Sequence, residues 1–189
     1  MKKLLCILTA LFLCTGLAIA RDAGKGNPTI VVKTNKGVIE AILFRDQAPI
    51  TVENFIKYTE ARFYDGTVFH RVIKNFMIQG GGYNQNLSEK TTRAPIKNEA
   101  ANGLKNERGT LAMARTSVVD SATSQFFINH KDNARLNHGV RDYGYAVFGK
   151  VTKGMEVVDA IASVPTGPKG PFTSDCPREA VIIESIRIK

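Results

Sequence analysis

Short apolar runs rich in β-branched residues, each ended by glycine, asparagine or proline, limit how this chain can fold more than any other feature. Two of them, residues 29–33 and 38–44, flank Asn35-Lys36-Gly37, whose Asn and Gly can adopt the positive φ that a tight hairpin requires. Further runs span residues 67–73, 76–79, 110–114, 124–129, 145–151 and 180–188. The pattern predicts a succession of short strands joined by turns and loops.

Two segments have helical rather than strand-like periodicity. After Pro49, Thr51 is expected to cap a helix that ends near Phe63. One face of this helix carries Val52, Phe55, Ile56 and Thr59. A second helix is expected over residues 155–163, where apolar residues recur at helical spacing and Pro165 prevents extension. Many short strands with only two helices favour a β-barrel or β-sandwich over a doubly wound α/β fold.

The first 20 residues have the composition of a secretion signal. Lys2 and Lys3 precede an apolar run over residues 4–17, and Ala18-Ile19-Ala20 offers the small residues that a signal peptidase selects. The run is shorter than the roughly 20 residues that a membrane-spanning helix requires, so a cleaved signal is favoured over a membrane anchor. The sequence therefore predicts a signal peptide over residues 1–20, one domain over residues 21–189, and export without stable insertion in the membrane.

Composition and spacing exclude several classes of function. The formal net charge of +9 would suit a nucleic-acid binder, but the basic residues are scattered and export disfavours nucleic acid as a partner. Three widely spaced histidines, without an HxH, HExxH or CxxC motif, predict no metal site. Residues 80–82 are Gly-Gly-Gly, but no Lys-Ser or Lys-Thr follows as in a phosphate-binding loop, so we interpret them as a turn or a bulge.

Two segments carry the most specific signal in the chain. Residues 69–82 read FHRVIKNFMIQGGG and residues 124–128 read SQFFI. Together with residues 94–99, 108–114 and 145–151, they resemble in order and spacing the cyclophilin family of peptidyl-prolyl cis/trans isomerases, and especially its periplasmic bacterial branch. The resemblance covers nearly all of residues 21–189. It implies a mainly β fold, a closed eight-stranded antiparallel barrel capped by two α-helices, with the site on the outer barrel face and a location in the periplasm.

The resemblance also implies roles for individual residues. Arg71 matches the catalytic arginine of the family. The residues that match the apolar walls around the substrate proline are Phe76, Met77, Phe127 and Leu136. Those that match its polar contacts are Gln79 and Gln125, and those that match the strip pairing with the peptide backbone are Ala114, Arg115 and Thr116.

Two of the site positions differ from the best-known eukaryotic members of the family. Tyr145 stands where they carry His, and it retains a flat wall with a polar tip. Arg115 stands where they carry Asn, and we expect it to be tolerated because this position chiefly contributes backbone groups. The resemblance implies no metal and no cofactor, and proline-containing unfolded or flexible polypeptides as partners. We expect a monomer, because no coiled-coil or other association pattern is present.

The chemistry of the reaction explains why an arginine would be required. Amide resonance opposes rotation with a barrier of about 18–20 kcal/mol. In the twisted transition state the proline nitrogen regains its lone pair and becomes a hydrogen-bond acceptor, so a guanidinium placed there binds the transition state preferentially. Apolar walls hold the proline ring without requiring polar partners.

Other interpretations of the same residues remain open at this point. Arg71 alone would be a surface residue in an ion pair, and Phe76, Met77 and Phe127 would by default point into a barrel. A chaperone or adaptor could hold proline-containing segments on the same scaffold. A lipocalin-like barrel would instead carry a ligand in its interior, but the bulky Phe, Ile and Val residues of the strands predict a filled interior.

Overall fold

A computed structural model describes residues 26–189 of the 189-residue chain, so the predicted signal peptide and its cleavage site lie outside the described residues. The strands are β1 (Thr29–Thr34), β2 (Gly37–Leu43), β3 (Thr67–Ile73), β4 (Met77–Asn84), β5 (Thr110–Met113), β6 (Phe126–Asn129), β7 (Val147–Lys153), β8 (Thr166–Lys169), β9 (Phe172–Pro177) and β10 (Ile182–Ile188). The helices are α1 (Pro49–Glu60) and α2 (Met155–Ala162), and a short 3-10 helix spans Ala134–Leu136. Neither helix of this described part is long and apolar enough to cross a membrane.

Eight of the strands close into one antiparallel barrel, in the order β1-β10-β3-β4-β6-β5-β7-β2. Closure removes the unpaired edges that an open sheet would present to solvent. The eight-stranded barrel with two helices is thereby confirmed. Strands β8 and β9 form a separate two-stranded sheet, which lies against β3.

Large side chains fill the interior of the barrel. Phe69, Phe126 and Phe148 are buried there with aliphatic residues from most of the barrel strands. Both helices bury one face in the same core, and the residues that do so are Val52, Phe55 and Ile56 from α1 and Val158, Ile161 and Ala162 from α2. A filled interior leaves no room for a ligand, which argues against the lipocalin-like alternative.

Helix α1 begins earlier than predicted and is capped by a residue distant in sequence. Pro49 occupies its first turn, so the predicted capping role of Thr51 is wrong. Instead, the Glu99 carboxylate accepts hydrogen bonds from the Ile50 N–H (3.1 Å), the Thr51 N–H (2.8 Å) and the Thr51 hydroxyl (2.7 Å). A negative charge at this position also interacts favourably with the helix dipole. The helix ends at Glu60, slightly before the predicted end.

The turn between β1 and β2 uses its asparagine differently from the prediction. Gly37 has the expected positive φ, +135°, but Asn35 does not. The Asn35 side chain instead accepts a hydrogen bond from the Ile182 N–H (3.0 Å) and donates one to the Ala180 carbonyl (2.9 Å). The asparagine therefore links the turn to β10.

Candidate active site

A second apolar cluster lies on the outer face of the barrel, apart from the core. Its buried members are Met77, Ala112, Phe127 and Val147, and the partly buried side chains around them are Ile73, Phe76, Leu104, Ala114, Leu136 and Tyr145. The alternation of side chains along a strand creates this outer cluster: Ile78 and Ile128 belong to the core, whereas the preceding Met77 and Phe127 face outward. The default expectation that these residues fill the barrel is therefore wrong.

The strand register places the outer cluster in line with Arg71. Arg71 on β3 pairs with Gln79 on β4, and Gln79 pairs with Phe127 on β6. Phe127 pairs in turn with Ala112 on β5, and Ala112 with Val147 on β7. Because directly paired residues of antiparallel strands share one face of the sheet, these five residues form a row across the outer surface of the barrel. The row begins with a guanidinium and ends in buried apolar groups.

The Arg71 guanidinium is accessible to a ligand. Its side chain is 44% exposed, and its Nε lies 3.9 Å from Oδ2 of Asp175 on β9. This distance is longer than a hydrogen bond, and an exposed ion pair of this kind is weak. The donors of Arg71 are therefore available to an acceptor placed over the row.

A hydrogen bond links Gln79, which belongs to this row, to Gln125, which lies beside it. Gln79 Nε2 donates a hydrogen bond to Gln125 Oε1 over 2.9 Å. Gly82 makes the arrangement possible, because a Cβ at residue 82 would lie 2.5 Å from Gln125 Cγ. Gly81 has a φ of +84°, and the pairing of β3 with β4 shifts register beside this segment, which confirms the predicted bulge. The second hydrogen-bonding group of each amide is left to bind a polar ligand.

A network of buried asparagines fixes Leu136 at the edge of the outer cluster. Asn133 Nδ2 donates to the Phe76 carbonyl (2.8 Å) and to Asn129 Oδ1 (2.7 Å). Asn129 Nδ2 donates to Asn106 Oδ1 (3.2 Å), and Asn106 Nδ2 donates to the Leu136 carbonyl (3.1 Å). Connected and buried hydrogen bonds of this kind hold a segment rigidly without regular secondary structure.

The strip predicted to pair with a peptide backbone continues from the end of β5. The Ala114 N–H donates to the Gln125 carbonyl (3.0 Å). The Thr116 N–H donates a hydrogen bond to Ser121 Oγ (3.0 Å). Thr116 is exposed and lies at the far end of the strip. The Arg115 side chain is only 4% exposed and is directed away from solvent. Arg115 therefore offers only its backbone to a peptide.

His70 precedes Arg71 at a point where the pairing of β3 with β4 shifts register, and its side chain packs against β9. Its ring stacks on Phe172 with 5.1 Å between centroids and lies 4.6 Å from the ring of Tyr83. Its Nδ1 is buried and has no hydrogen-bond partner among the described residues. Burial, assisted by the charge of Arg71, lowers the pKa of His70 from 6.5 to about 4. The ring is therefore neutral near pH 7 and part of the packing.

The structure thus brings most of the predicted site residues together. The outer cluster contains Phe76, Met77, Ala114, Phe127, Leu136 and Tyr145, while Arg71 and Gln79 extend it along the row and Gln125 bonds to Gln79. Thr116 and the side chain of Arg115 lie outside it. Four cluster members, Ile73, Leu104, Ala112 and Val147, were not predicted. Ala112 could have been found from its position between the inward-facing Leu111 and Met113.

No group of three or more His, Cys, Asp or Glu side chains within residues 26–189 is arranged to hold a metal ion.

Comparison with protein families gives a match over residues 29–188 to the model described as cyclophilin type peptidyl-prolyl cis-trans isomerase/CLD. A peptidyl-prolyl cis-trans isomerase of Acinetobacter baylyi is 58% identical over 174 residues, which cover 92% of this chain and 92% of that protein. Peptidyl-prolyl cis-trans isomerase B of Escherichia coli is 52% identical over 162 residues, which cover 84% of this chain and 98% of the relative.

Solved structures show the same similarity. A cyclophilin type peptidyl-prolyl cis-trans isomerase of Cryptosporidium parvum superposes with a TM-score of 0.72 at 28% identity, over 87% of this chain and 98% of that one. A second structure of that protein, determined in the presence of the dipeptide Ala-Pro, gives a TM-score of 0.71 at 30% identity, over 85% of this chain and 98% of that one.

Proposed function

Because the chain belongs to the cyclophilin-type peptidyl-prolyl cis-trans isomerases, we propose that Arg71 accelerates rotation about X-Pro bonds. Arg71 does so by stabilising the twisted amide above the outer cluster. The reaction takes place during the folding of exported proteins. The isomerase activity itself follows from family membership. The proposal concerns the residues that perform it and the polypeptides on which it acts.

The alignment of Arg71 with the outer cluster is the observation that carries the proposal. In the twisted state, the proline nitrogen carries a lone pair that neither the cis nor the trans ground state offers. A guanidinium donor at that point therefore binds the transition state more strongly than the substrate, which is the requirement for a faster reaction. Arginine suits this role because its planar guanidinium presents several donors in a fixed geometry.

The outer cluster supplies the other requirement, a site for the proline ring. Met77 and Phe127 are 2% and 4% exposed, and they form an apolar floor on the outside of a closed barrel. A proline ring has no N–H and fits such a surface without leaving a polar group unpaired. Gln79 and Gln125 lie next to the floor and offer an amide N–H and C=O to the flanking peptide groups. The proposed partners are proline-containing segments of unfolded or flexible polypeptides.

Export to the periplasm is supported by the sequence of residues 1–20 alone. Slow prolyl isomerisation limits folding in any compartment, and the reaction proposed for Arg71 needs no ATP. The N-terminal sequence of the protein recovered from the periplasmic fraction of an expressing bacterium tests this part. A chain that keeps residues 1–20 and stays with the cytoplasm would contradict it.

The role of Arg71 is tested by exchange NMR with an Ala-Pro peptide, which gives both the dissociation constant and the rate of interconversion on the enzyme. Arg71→Ala should lower that rate by about a hundred-fold or more, in line with the loss of one donor to a developing charge. Arg71→Lys should rescue it only partly, because an ammonium lacks the planar fork of donors. Arg178→Ala removes an exposed arginine elsewhere and is the matched control. A rate unchanged in Arg71→Ala would refute the mechanism.

The outer cluster also supports a second candidate function, the holding of proline-containing segments as a chaperone or adaptor. The cluster is formed without Arg71, so binding and turnover are separable. A holdase should still suppress the aggregation of a client protein when Arg71 is replaced by Ala, whereas an effect that depends on isomerisation should be lost with the rate. An aggregation assay with both proteins distinguishes the two functions.

A further inference from the structure

Arg115 is a buried cation beside the outer cluster. Its side chain makes several contacts that pairing with a peptide backbone would not require. Its Nε donates to the Gly144 carbonyl (3.0 Å), one terminal nitrogen to the Thr116 carbonyl (2.9 Å) and the other to Asp142 Oδ1 (2.9 Å). The guanidinium carbon lies 4.7 Å from the centroid of the Tyr145 ring. We refer to Arg115, Asp142, Gly144 and Tyr145 as the Arg115 clamp.

The clamp connects two segments that border the site. Arg115 follows β5, and residues 142–145 precede β7. Asn98 Nδ2 donates a second hydrogen bond to the Gly144 carbonyl (3.0 Å), and Asp142 Oδ1 also accepts the Gly144 N–H (2.7 Å). Gly144 has a φ of +82°, and a Cβ there would lie 2.5 Å from the backbone nitrogen of His138, so only glycine fits. These contacts hold the segment in one conformation.

Tyr145 connects the clamp to the outer cluster. Its ring meets Phe127 edge to face, with 5.7 Å between centroids and 76° between the ring planes. Its N–H donates to the Leu136 carbonyl (3.0 Å). The Tyr145 ring therefore contacts both the Arg115 cation and the Phe127 ring, and both contacts favour the observed orientation.

We propose that Arg115, together with Asp142, is a positioning residue for the isomerase reaction and holds Tyr145 as a fixed wall of the cleft that receives proline. This inference rests on the proposed function, since it takes the outer cluster as the proline site. A desolvated guanidinium is costly unless its donors are satisfied, and here three oxygens and an aromatic face satisfy it. Because Arg115 acts through Tyr145, its loss affects substrate binding more than bond rotation.

The exchange NMR measurement with an Ala-Pro peptide separates these two quantities. Arg115→Met removes all three hydrogen bonds and the cation–π contact while keeping an apolar stem. We expect it to weaken peptide binding about ten-fold, which is the loss of affinity expected when one or two such contacts are removed. The rate of interconversion on the enzyme should change by less than about two-fold. Asp142→Asn removes only the charged partner and should weaken binding about three-fold. Arg141→Met changes an exposed neighbour in the same loop and should have no effect.

A second measurement reports on the wall itself. In protein labelled with 3-fluorotyrosine, the resonance of Tyr145 is identified by its absence in Tyr145→Phe. Arg115→Met should shift or broaden this resonance, because the ring loses the contact on one side, whereas Arg141→Met should leave it in place.

Each outcome decides between the alternatives. Unchanged affinity and an unchanged Tyr145 resonance in Arg115→Met would overturn the positioning role, and so would an on-enzyme rate that falls as much as the affinity. Should Arg115→Met fail to fold, Asp142→Asn decides alone, and unchanged binding would overturn the proposal. A rate retained in Arg71→Ala refutes the proposed mechanism but leaves the effect of the clamp on binding intact.

Discussion

His70 should make the stability of the protein depend on pH between about 4 and 6.5. The buried, stacked ring has a pKa of about 4 in the folded protein, against an ordinary value of 6.5. Between these values the unfolded chain binds a proton that the folded protein excludes, so the free energy of unfolding falls as the pH falls. The full shift corresponds to about 3 kcal/mol, at 1.36 kcal/mol per pKa unit. Between pH 7 and pH 4.5 the expected loss is about 2 kcal/mol.

Urea denaturation followed by circular dichroism at several pH values measures this loss. His70→Phe keeps an aromatic ring between Tyr83 and Phe172 but cannot take up a proton, so its curve should lack this part of the pH dependence. His138→Phe alters an exposed histidine and is the matched control. The low pKa of the Asp65 carboxyl, which the hydrogen bonds from Arg187 maintain, affects stability only at lower pH. If wild type and His70→Phe lose stability equally between pH 7 and pH 4.5, the reasoning fails.

Two further substitutions test the contacts around the site. Glu99→Ala should destabilise the protein by about 1–2 kcal/mol in the same urea assay, because α1 loses its remote cap and a favourable charge. The control is Glu53→Ala, which changes an exposed residue of the same helix and should cost less than about 0.5 kcal/mol. Equal losses in the two variants would show that the cap contributes little. Asp175→Asn should change kcat/KM by less than about five-fold, because its ion pair with Arg71 is exposed and 3.9 Å long. A loss near that of Arg71→Ala would mean that the carboxylate orients the guanidinium.

The barrel was predictable because most of its strands carry a strong local pattern. β-Branched residues and turn signals locate β1, β2 and β3 closely. Strands β5, β6 and β7 are shorter than the apolar runs or shifted from them, and Ala114, Gln125 and Tyr145, which border the site, lie just outside the strand ends. Strands β8 and β9 were missed, since Thr166–Lys169 reads as a turn rather than a strand.

The contacts missed by sequence reasoning are long-range ones. Glu99 lies 48 residues from the Thr51 that it caps, and Arg115 lies 27 residues from Asp142. The local periodicity of a sequence does not predict contacts between residues so far apart. The resemblance placed Arg115 in the site through its backbone, but the burial of its side chain depends on the conformation of residues 142–145, which Gly144 makes possible. Side-chain contacts that a family resemblance does not specify need the three-dimensional structure.

A filled barrel determines where a site on this fold can lie. Eight strands enclose a space just wide enough for side chains, and here Phe69, Phe126 and Phe148 occupy it. A ligand must therefore bind outside, where the period of two along a strand allows one sequence to build both surfaces. Ile128 stabilises the core while Phe127, one residue before it, forms the floor of the site. A register slip of one residue would exchange the two, so the hydrogen-bonded ladder that stabilises the barrel also fixes the proline site.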